Sequence, residues 1–140
     1  MKHAEFAFPG PLRDKLIAAI LRGEKTSTTG LVAEYELYGE ELPVVGEREL
    51  MIDSAGEGVA VLETTEVRVI PLSEVDLRHA LDEGEGFTSV AEWRVDHTDY
   101  WQGAEMRAAL KDPEFTVDDT TQVVATRFVI VAVSPKERIG

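Results

Sequence analysis

The sequence predicts an α+β fold in which helices flank a mostly antiparallel sheet that curls into a small β-barrel. Apolar residues recur at helical spacing after Pro11, whereas the stretches 59–69 and 123–133 are rich in Val, Ile and Thr, which favour strands. The order helix, strands, helices, strand is typical of an α+β domain. The length of 140 residues predicts one domain over 1–140.

The first predicted helix begins at Pro11, which suits a first helical turn, and ends before Gly23. Its apolar positions share one helical face and are Leu12, Leu16, Ile17, Ile20 and Leu21. Residues 24–30 then form a short strand or loop, and residues 31–38 a short helix. Two strands are predicted at 49–53 and 59–69, the second ending at a proline.

Two helices are predicted between the strand at 59–69 and the last predicted strand, at 123–133. Ser73 is expected to cap a short helix that reaches His79 or the next residue. Ser89, or the threonine before it, caps a longer helix that continues to Leu110 with a break near Gly103. The acidic stretch between the two helices contains two glycines and separates them.

Composition excludes several classes of function. The chain carries 27 acidic and 14 basic residues, a net charge of −13 spread over both halves, which disfavours DNA because polyanions bind clustered Lys and Arg. A small ligand or a short single-stranded RNA stays open as a partner. The absence of cysteine excludes disulfides, thiol nucleophiles and thiolate metal sites. The longest apolar runs are too short to span a membrane, so we expect a cytoplasmic protein.

The first segment suited to chemistry is 23–30, in which a lysine and four hydroxyl side chains lie between glycines. A desolvated Lys25 can act as a base for a neighbouring hydroxyl nucleophile, and a charged one can polarise a carbonyl or phosphate oxygen. Lys25 and Thr28 meet only if the backbone bends, which the glycines permit. A solvated lysine beside strand threonines is the alternative interpretation.

The second segment is the acidic stretch 82–86, Asp-Glu-Gly-Glu-Gly. Its glycines allow a tight turn or a close approach of the backbone to another group. A carboxylate held in a cleft can serve as a general acid or base. An acidic surface loop is the alternative interpretation.

The third feature is an aromatic stripe of Trp93, His97 and Trp101 on one helical face. Such a stripe can stack a planar base or simply pack in the core. His79 and Glu83 are one helical turn apart, but no third ligand follows at a convincing spacing. We therefore predict no metal site and no cofactor.

In this order and spacing the features resemble the ASCH domain family (activating-signal-cointegrator homology) of the PUA-like superfamily. The resemblance runs from about Phe8 to Val133. Its marks are Gly-Glu-Lys at 23–25 with Thr28, the turn at 42–47, the segment 75–86, and Ser89 to Trp101 with Trp-Arg, His and Tyr-Trp. It implies a small β-barrel flanked by helices, with a cleft where the lysine segment meets the acidic loop.

The resemblance also implies a function. The family is associated with RNA and modified nucleosides, and small bacterial members include amidohydrolases that deacetylate N4-acetylcytidine. Their catalytic set corresponds to Lys25, Thr28 and Glu83 here, with Glu85 competing with Glu83 because this chain has extra residues around the loop. Many members carry an arginine five residues after the lysine, where this chain has Gly30, and this difference disfavours phosphate binding.

We therefore expect a hydrolase acting on an acylated pyrimidine nucleoside or a related amide. Thr28 would attack while Lys25 takes its proton and Glu83 protonates the leaving amine; if Lys25 stays charged, water replaces Thr28. The expected substrate contacts are Thr26, Ser27, Glu85, Trp93 and His97. A noncatalytic module that binds RNA or a nucleotide is one alternative. A ribonuclease, in which Lys25 stabilises a pentacoordinate phosphate and Glu83 shuttles protons, is the other.

Overall fold

The computed structural model describes residues 1–133, which form five strands and five α-helices around a single sheet. In chain order the elements are β1 (Lys2–Ala4), α1 (Pro11–Leu21), β2 (Ser27–Leu31), α2 (Val32–Leu37), β3 (Arg48–Ile52), β4 (Gly58–Pro71), a 3-10 turn (Leu72–Glu74), α3 (Leu77–Asp82), α4 (Val90–Trp101), α5 (Ala104–Ala109) and β5 (Gln122–Val133). Within this part of the chain no helix has the length and apolar character needed to cross a membrane.

The strand order is β1-β3-β4-β5-β2, and only the β1–β3 pair is parallel. The predicted α+β class and mostly antiparallel sheet are confirmed. Closure into a barrel is not: among residues 1–133 the hydrogen-bonded ladder ends at β1 and β2. Beside β2, the Lys25 ammonium donates to Ser27 O at 2.9 Å. Sequence analysis also missed β1, which has only three residues.

Helix α1 begins at Pro11 and ends before Gly23, as predicted. It buries Leu16, Ile17 and Ile20 against the sheet. We call this assembly the first core cluster; its buried members are Phe6, Leu16, Ile17, Ile20, Met51, Val59, Ala60, Leu62 and Phe128. All of these members are apolar, so the cluster is stabilised by the removal of apolar surface from water.

The helices after β4 differ from the prediction at one cap. The predicted cap Ser73 lies in the 3-10 turn, and Asp76 caps α3 instead, accepting a hydrogen bond from His79 N at 2.9 Å. The backbone is extended just before Asp76, so no helix runs through it. Ser89 caps α4, and the predicted break near Gly103 separates α4 from α5.

These helices pack on β2 and β5 in a second core cluster. Its buried members are Leu31, Leu72, Val75, Ala80, Trp93, Trp101, Met106, Leu110 and Val123. The cluster holds α3 and α4 beside the start of β2. The acidic stretch 82–86, called the acidic loop below, therefore contacts the segment of Lys25, which precedes β2.

Candidate functional site

The acidic loop is docked directly on the backbone of the lysine segment. Thr26 N donates to Asp82 O at 2.8 Å, and Arg127 Nη2 lies 2.6 Å from Asp82 Oδ2. Gly84 has a φ of +70°, and a Cβ there would lie 2.4 Å from the carbonyl oxygen of Glu24. Only glycine fits this contact, because any side chain would collide with backbone.

Lys25 lies in the interior, with 2% of its surface exposed. Its Nζ is 2.9 Å from Ser27 O, 3.3 Å from Glu83 Oε1 and 3.9 Å from Glu85 Oε2. Nζ also donates to Glu83 O at 3.4 Å, so its three hydrogen-bond partners are Ser27 O, Glu83 O and Glu83 Oε1. All three are acceptors, which is the geometry of a charged ammonium that donates three hydrogens. The burial of this charge is offset by two carboxylates and two backbone carbonyls.

The carboxylate of Glu83 is surrounded by donors. Oε1 accepts from Lys25 Nζ and from His97 Nε2, the latter at 3.2 Å. Oε2 accepts from Thr29 Oγ1 at 2.7 Å and from Trp93 Nε1 at 2.8 Å. Burial opposes the charged form, but the Lys25 charge and the histidine hydrogen bonds outweigh it and hold the pKa of Glu83 well below its usual range.

The hydrogen bonds of the two histidines beside Glu83 indicate which of their ring nitrogens carry hydrogens. His97 Nδ1 donates to Trp93 O at 3.0 Å, and its Nε2 faces the ionised Glu83, so both ring nitrogens carry hydrogens. Burial disfavours this charge, but Glu83 and Glu85 outweigh burial and raise the pKa of His97. The Thr29 hydroxyl gives its hydrogen to Glu83 and therefore accepts from His79 Nε2 at 2.7 Å.

Next to this cluster lies a cleft of about 920 Å³, a volume in the range of small-molecule sites. Lys25, Thr28, Glu83, Glu85 and His97 all border it. Within residues 1–133 the Thr28 hydroxyl makes no hydrogen bond to the protein, which leaves it available in the cleft. The cleft also has an aromatic wall; its members are Phe8, Tyr35, Tyr38, Phe87, Tyr100 and Trp101.

The charge of the cleft is predominantly acidic. Among the described residues that line it, eight are Asp or Glu and four are Lys or Arg. Lys25 is held by carboxylates, and Arg13 is buried and donates to Phe6 O and Ala7 O. Burial, with neighbouring acidic side chains, raises the pKa of Tyr35 to about 12. A phosphate therefore meets mostly negative potential here.

Three side chains that the sequence predicted as substrate contacts lie elsewhere. Ser27 is fully buried, and its hydroxyl donates to His79 O at 3.0 Å. Trp93 is also fully buried, stacks on His97 with ring centroids 4.2 Å apart, and belongs to the core. Thr26 Oγ1 faces Asp82 O at 3.5 Å. None of these three side chains lines the cleft. Ser27 and Trp93 instead donate hydrogen bonds to His79 and Glu83, which belong to the site.

Sequence reasoning missed the roles of Thr29 and His79, which hold Glu83 Oε2. The spacing of His79 and Glu83 carried a signal, since residues one helical turn apart share a face. Thr29 carried the weaker signal of strand alternation: Ser27 and Thr29 point to the same side of β2, toward α3.

A metal ion fits this cluster poorly. Ligand atoms of Glu83, Glu85 and His97 come within 4.8 Å of one another. The Lys25 ammonium already contacts both carboxylates at that place, and both oxygens of Glu83 accept hydrogen bonds from the protein. The Lys25 ammonium supplies the positive charge that balances these carboxylates. The cluster is therefore a set of hydrogen bonds and ion pairs.

The family model of the ASCH domain matches residues 5–132. A structure of a DUF984 protein from Enterococcus faecalis V583 has a TM-score of 0.84 at 20% identity, covering 100% of this chain and 82% of that one. An ASCH domain from Lactobacillus crispatus JV V101 has a TM-score of 0.78 at 24% identity, covering 94% and 79%. At these identities the likeness shows a common fold. A comparison with curated proteins gave no match.

Proposed function

Because this chain belongs to the ASCH domain family, we propose that it is a hydrolase acting on an acylated pyrimidine nucleoside or a related amide. The observation that carries the proposal is the buried Lys25 ammonium, which borders the cleft beside Glu83 and Glu85. A cation fixed in a water-poor site stabilises the oxyanion that forms when a carbonyl is attacked. Glu83 keeps that cation charged and in place.

The nucleophile in this proposal is water, with Thr28 as a hydroxyl that orients it or the substrate. Lys25 makes contacts only with acceptors, which supports an ammonium rather than a free amine. An ammonium has no lone pair with which to take a proton from Thr28. The route with Lys25 as a clamp is therefore favoured over the route with Lys25 as the base.

The remaining walls of the cleft support a small uncharged substrate. Tyr35, Phe87 and Tyr100 line the cleft, and aromatic rings can pack on a planar base. The acidic surroundings oppose phosphate groups, and hence RNA as ligand or substrate. We accordingly propose a free nucleoside as the partner, in preference to a nucleotide or an RNA strand.

The test is hydrolysis of N4-acetylcytidine by the purified chain, followed by chromatography. We expect release of cytidine and acetate, with a loss of about 100-fold or more in Lys25→Met. Thr28→Val should be slower than the parent, and Thr65→Val, an exposed threonine in β4, should match it. Circular dichroism verifies that each variant is folded.

Absence of turnover by folded parent protein would overturn this substrate. Binding of short RNA with a steep salt dependence, without cleavage, would instead indicate a binding module. Cleavage of that RNA, lost in Lys25→Met, would indicate a ribonuclease.

A further inference from the structure

The two glutamates on either side of Gly84 have unlike surroundings. The Glu83 side chain is 2% exposed, and each of its oxygens accepts at least two hydrogen bonds. The Glu85 side chain is 15% exposed and borders the cleft. Its oxygens accept no hydrogen bond within residues 1–133, and their ionic contact is Lys25 at 3.9 Å.

We propose that Glu85 is the carboxylate that transfers protons in this site, and that Glu83 is the fixed anchor of the Lys25 cation. This inference rests on the proposed hydrolase function and assigns its general base. A proton carrier needs a free oxygen that reaches the reacting atoms. Glu85 has such oxygens beside the cleft, whereas those of Glu83 are committed to Lys25, His97, Thr29 and Trp93.

The electrostatic surroundings of Glu85 agree with this assignment. Burial raises its pKa, an effect that the Lys25 and His97 charges only partly offset and that the Glu83 and Asp96 charges reinforce. Glu83 shifts in the opposite direction. Two neighbouring carboxyl groups whose environments separate their pKa values are a common arrangement for dividing roles in catalysis.

In the proposed step, water attacks the acyl carbon, a C–O bond forms, and the carbonyl π pair moves onto the oxygen that faces Lys25. Glu85 takes the proton of that water. When the intermediate collapses, the carbonyl re-forms, the C–N bond breaks, and the proton on Glu85 goes to the leaving nitrogen. The products are a carboxylic acid and an amine.

The charge of the cluster supports this order of events. In the resting site two cations, Lys25 and His97, face two carboxylates, Glu83 and Glu85. Protonation of Glu85 removes one negative charge just as the substrate oxygen gains one. The Lys25 ammonium therefore keeps two anionic neighbours throughout, and no uncompensated charge arises in the interior.

The experiment compares Glu85→Gln, Glu83→Gln and the surface control Glu24→Gln on N4-acetylcytidine. We expect Glu85→Gln to lower kcat by about 10²- to 10⁴-fold with little change in KM. In the parent, kcat/KM should rise with pH through the raised pKa of Glu85, and this limb should vanish in Glu85→Gln. Added formate should restore part of the turnover of Glu85→Ala. A raised KM with unchanged kcat in Glu85→Gln would overturn the assignment.

A second measurement separates this inference from the proposed function. Carboxyl ¹³C NMR of the parent, assigned with the two glutamine variants, follows both groups against pH without any substrate. The pKa of Glu85 should be raised from its ordinary value, and that of Glu83 should be lowered. The reverse order would overturn the inference even if the nucleoside is hydrolysed. The expected order together with no hydrolysis would support the proton carrier and reject only the proposed substrate.

Discussion

The first core cluster and the Lys25–Glu83 site are equally buried but are held together by different physics. Ile20 in α1 is 1% exposed, and so is Glu83. Ile20 is stabilised by removal of apolar surface from water, which has no preferred direction. Glu83 is stabilised only by donors placed at hydrogen-bond distance around both of its oxygens.

This difference determines how each region tolerates change. In an apolar cluster, the neighbouring side chains can partly relax into the space left by one missing methyl group, which limits the loss of stability. In the polar site, removal of one charge leaves its partners buried without a counter-ion. The site should therefore respond more strongly than the apolar cluster to substitutions that preserve shape.

The largest expected effect is the difference between two conservative substitutions, one in each region. Glu83→Gln leaves Lys25 and His97 buried without their main counter-ion and should cost about 3–5 kcal/mol in the free energy of unfolding. Ile20→Val should cost about 0.5–1.5 kcal/mol. Urea denaturation at pH 7 measures both. Equal losses in the two variants would refute the contrast between the regions.

The next largest effect is the difference in stability between alanine substitutions at the two glycines of the acidic loop. Both have positive φ, +70° at Gly84 and +89° at Gly86, so alanine at either should cost about 1–2 kcal/mol. At Gly84 the added Cβ also meets the Glu24 carbonyl oxygen at 2.4 Å, whereas at Gly86 no atom lies within 4 Å. Gly84→Ala should therefore lose about a further 1–3 kcal/mol.

The same pair of variants tests how the loop positions the site. Since Gly84 brings Glu83 and Glu85 to Lys25, Gly84→Ala should also lose hydrolysis of N4-acetylcytidine, while Gly86→Ala retains most of it. Thermal unfolding and turnover are measured on both proteins. Similar stability losses in the two variants would mean that the loop moves freely away from Glu24.

The apolar region was also the easier one to predict from the sequence. The spacing of Leu16, Ile17 and Ile20 predicted α1, and the structure confirms it. Such local periodicity needs no knowledge of what the helix packs against. The family resemblance is confirmed by the match over residues 5–132.

The members of the site were predictable only in part. Lys25 and Glu83 were identified as partners through the resemblance, but their separation of 58 residues hid the geometry that divides Glu83 from Glu85. Trp93 was expected among the substrate contacts, but its burial and its stacking on His97 place it in the core. The mostly antiparallel sheet was predicted, but its closure into a barrel is not seen in the ladder of residues 1–133, which ends at β1 and β2. Contacts of this kind depend on tertiary structure, which periodicity does not describe.

The smallest expected effect is a pH dependence confined to the polar site. The Glu83 hydrogen bond and the two carboxylate charges overcome burial and raise the pKa of His97 above its unfolded value of about 6.5. The folded state therefore binds the proton more tightly than the unfolded state does. This stabilisation is complete below about pH 6.5 and is lost as the pH rises through the folded pKa.

His97→Gln should accordingly cost more in the free energy of unfolding at pH 6 than at pH 9, because only the protonated ring gains the contact with Glu83. Urea denaturation of parent and variant at the two pH values gives the difference. His3→Gln, at an exposed position in β1, should show no such change between the two pH values. A loss in His97→Gln that is equal at both pH values, or larger at pH 9, would mean that His97 stabilises the fold by packing on Trp93 rather than by its charge opposite Glu83.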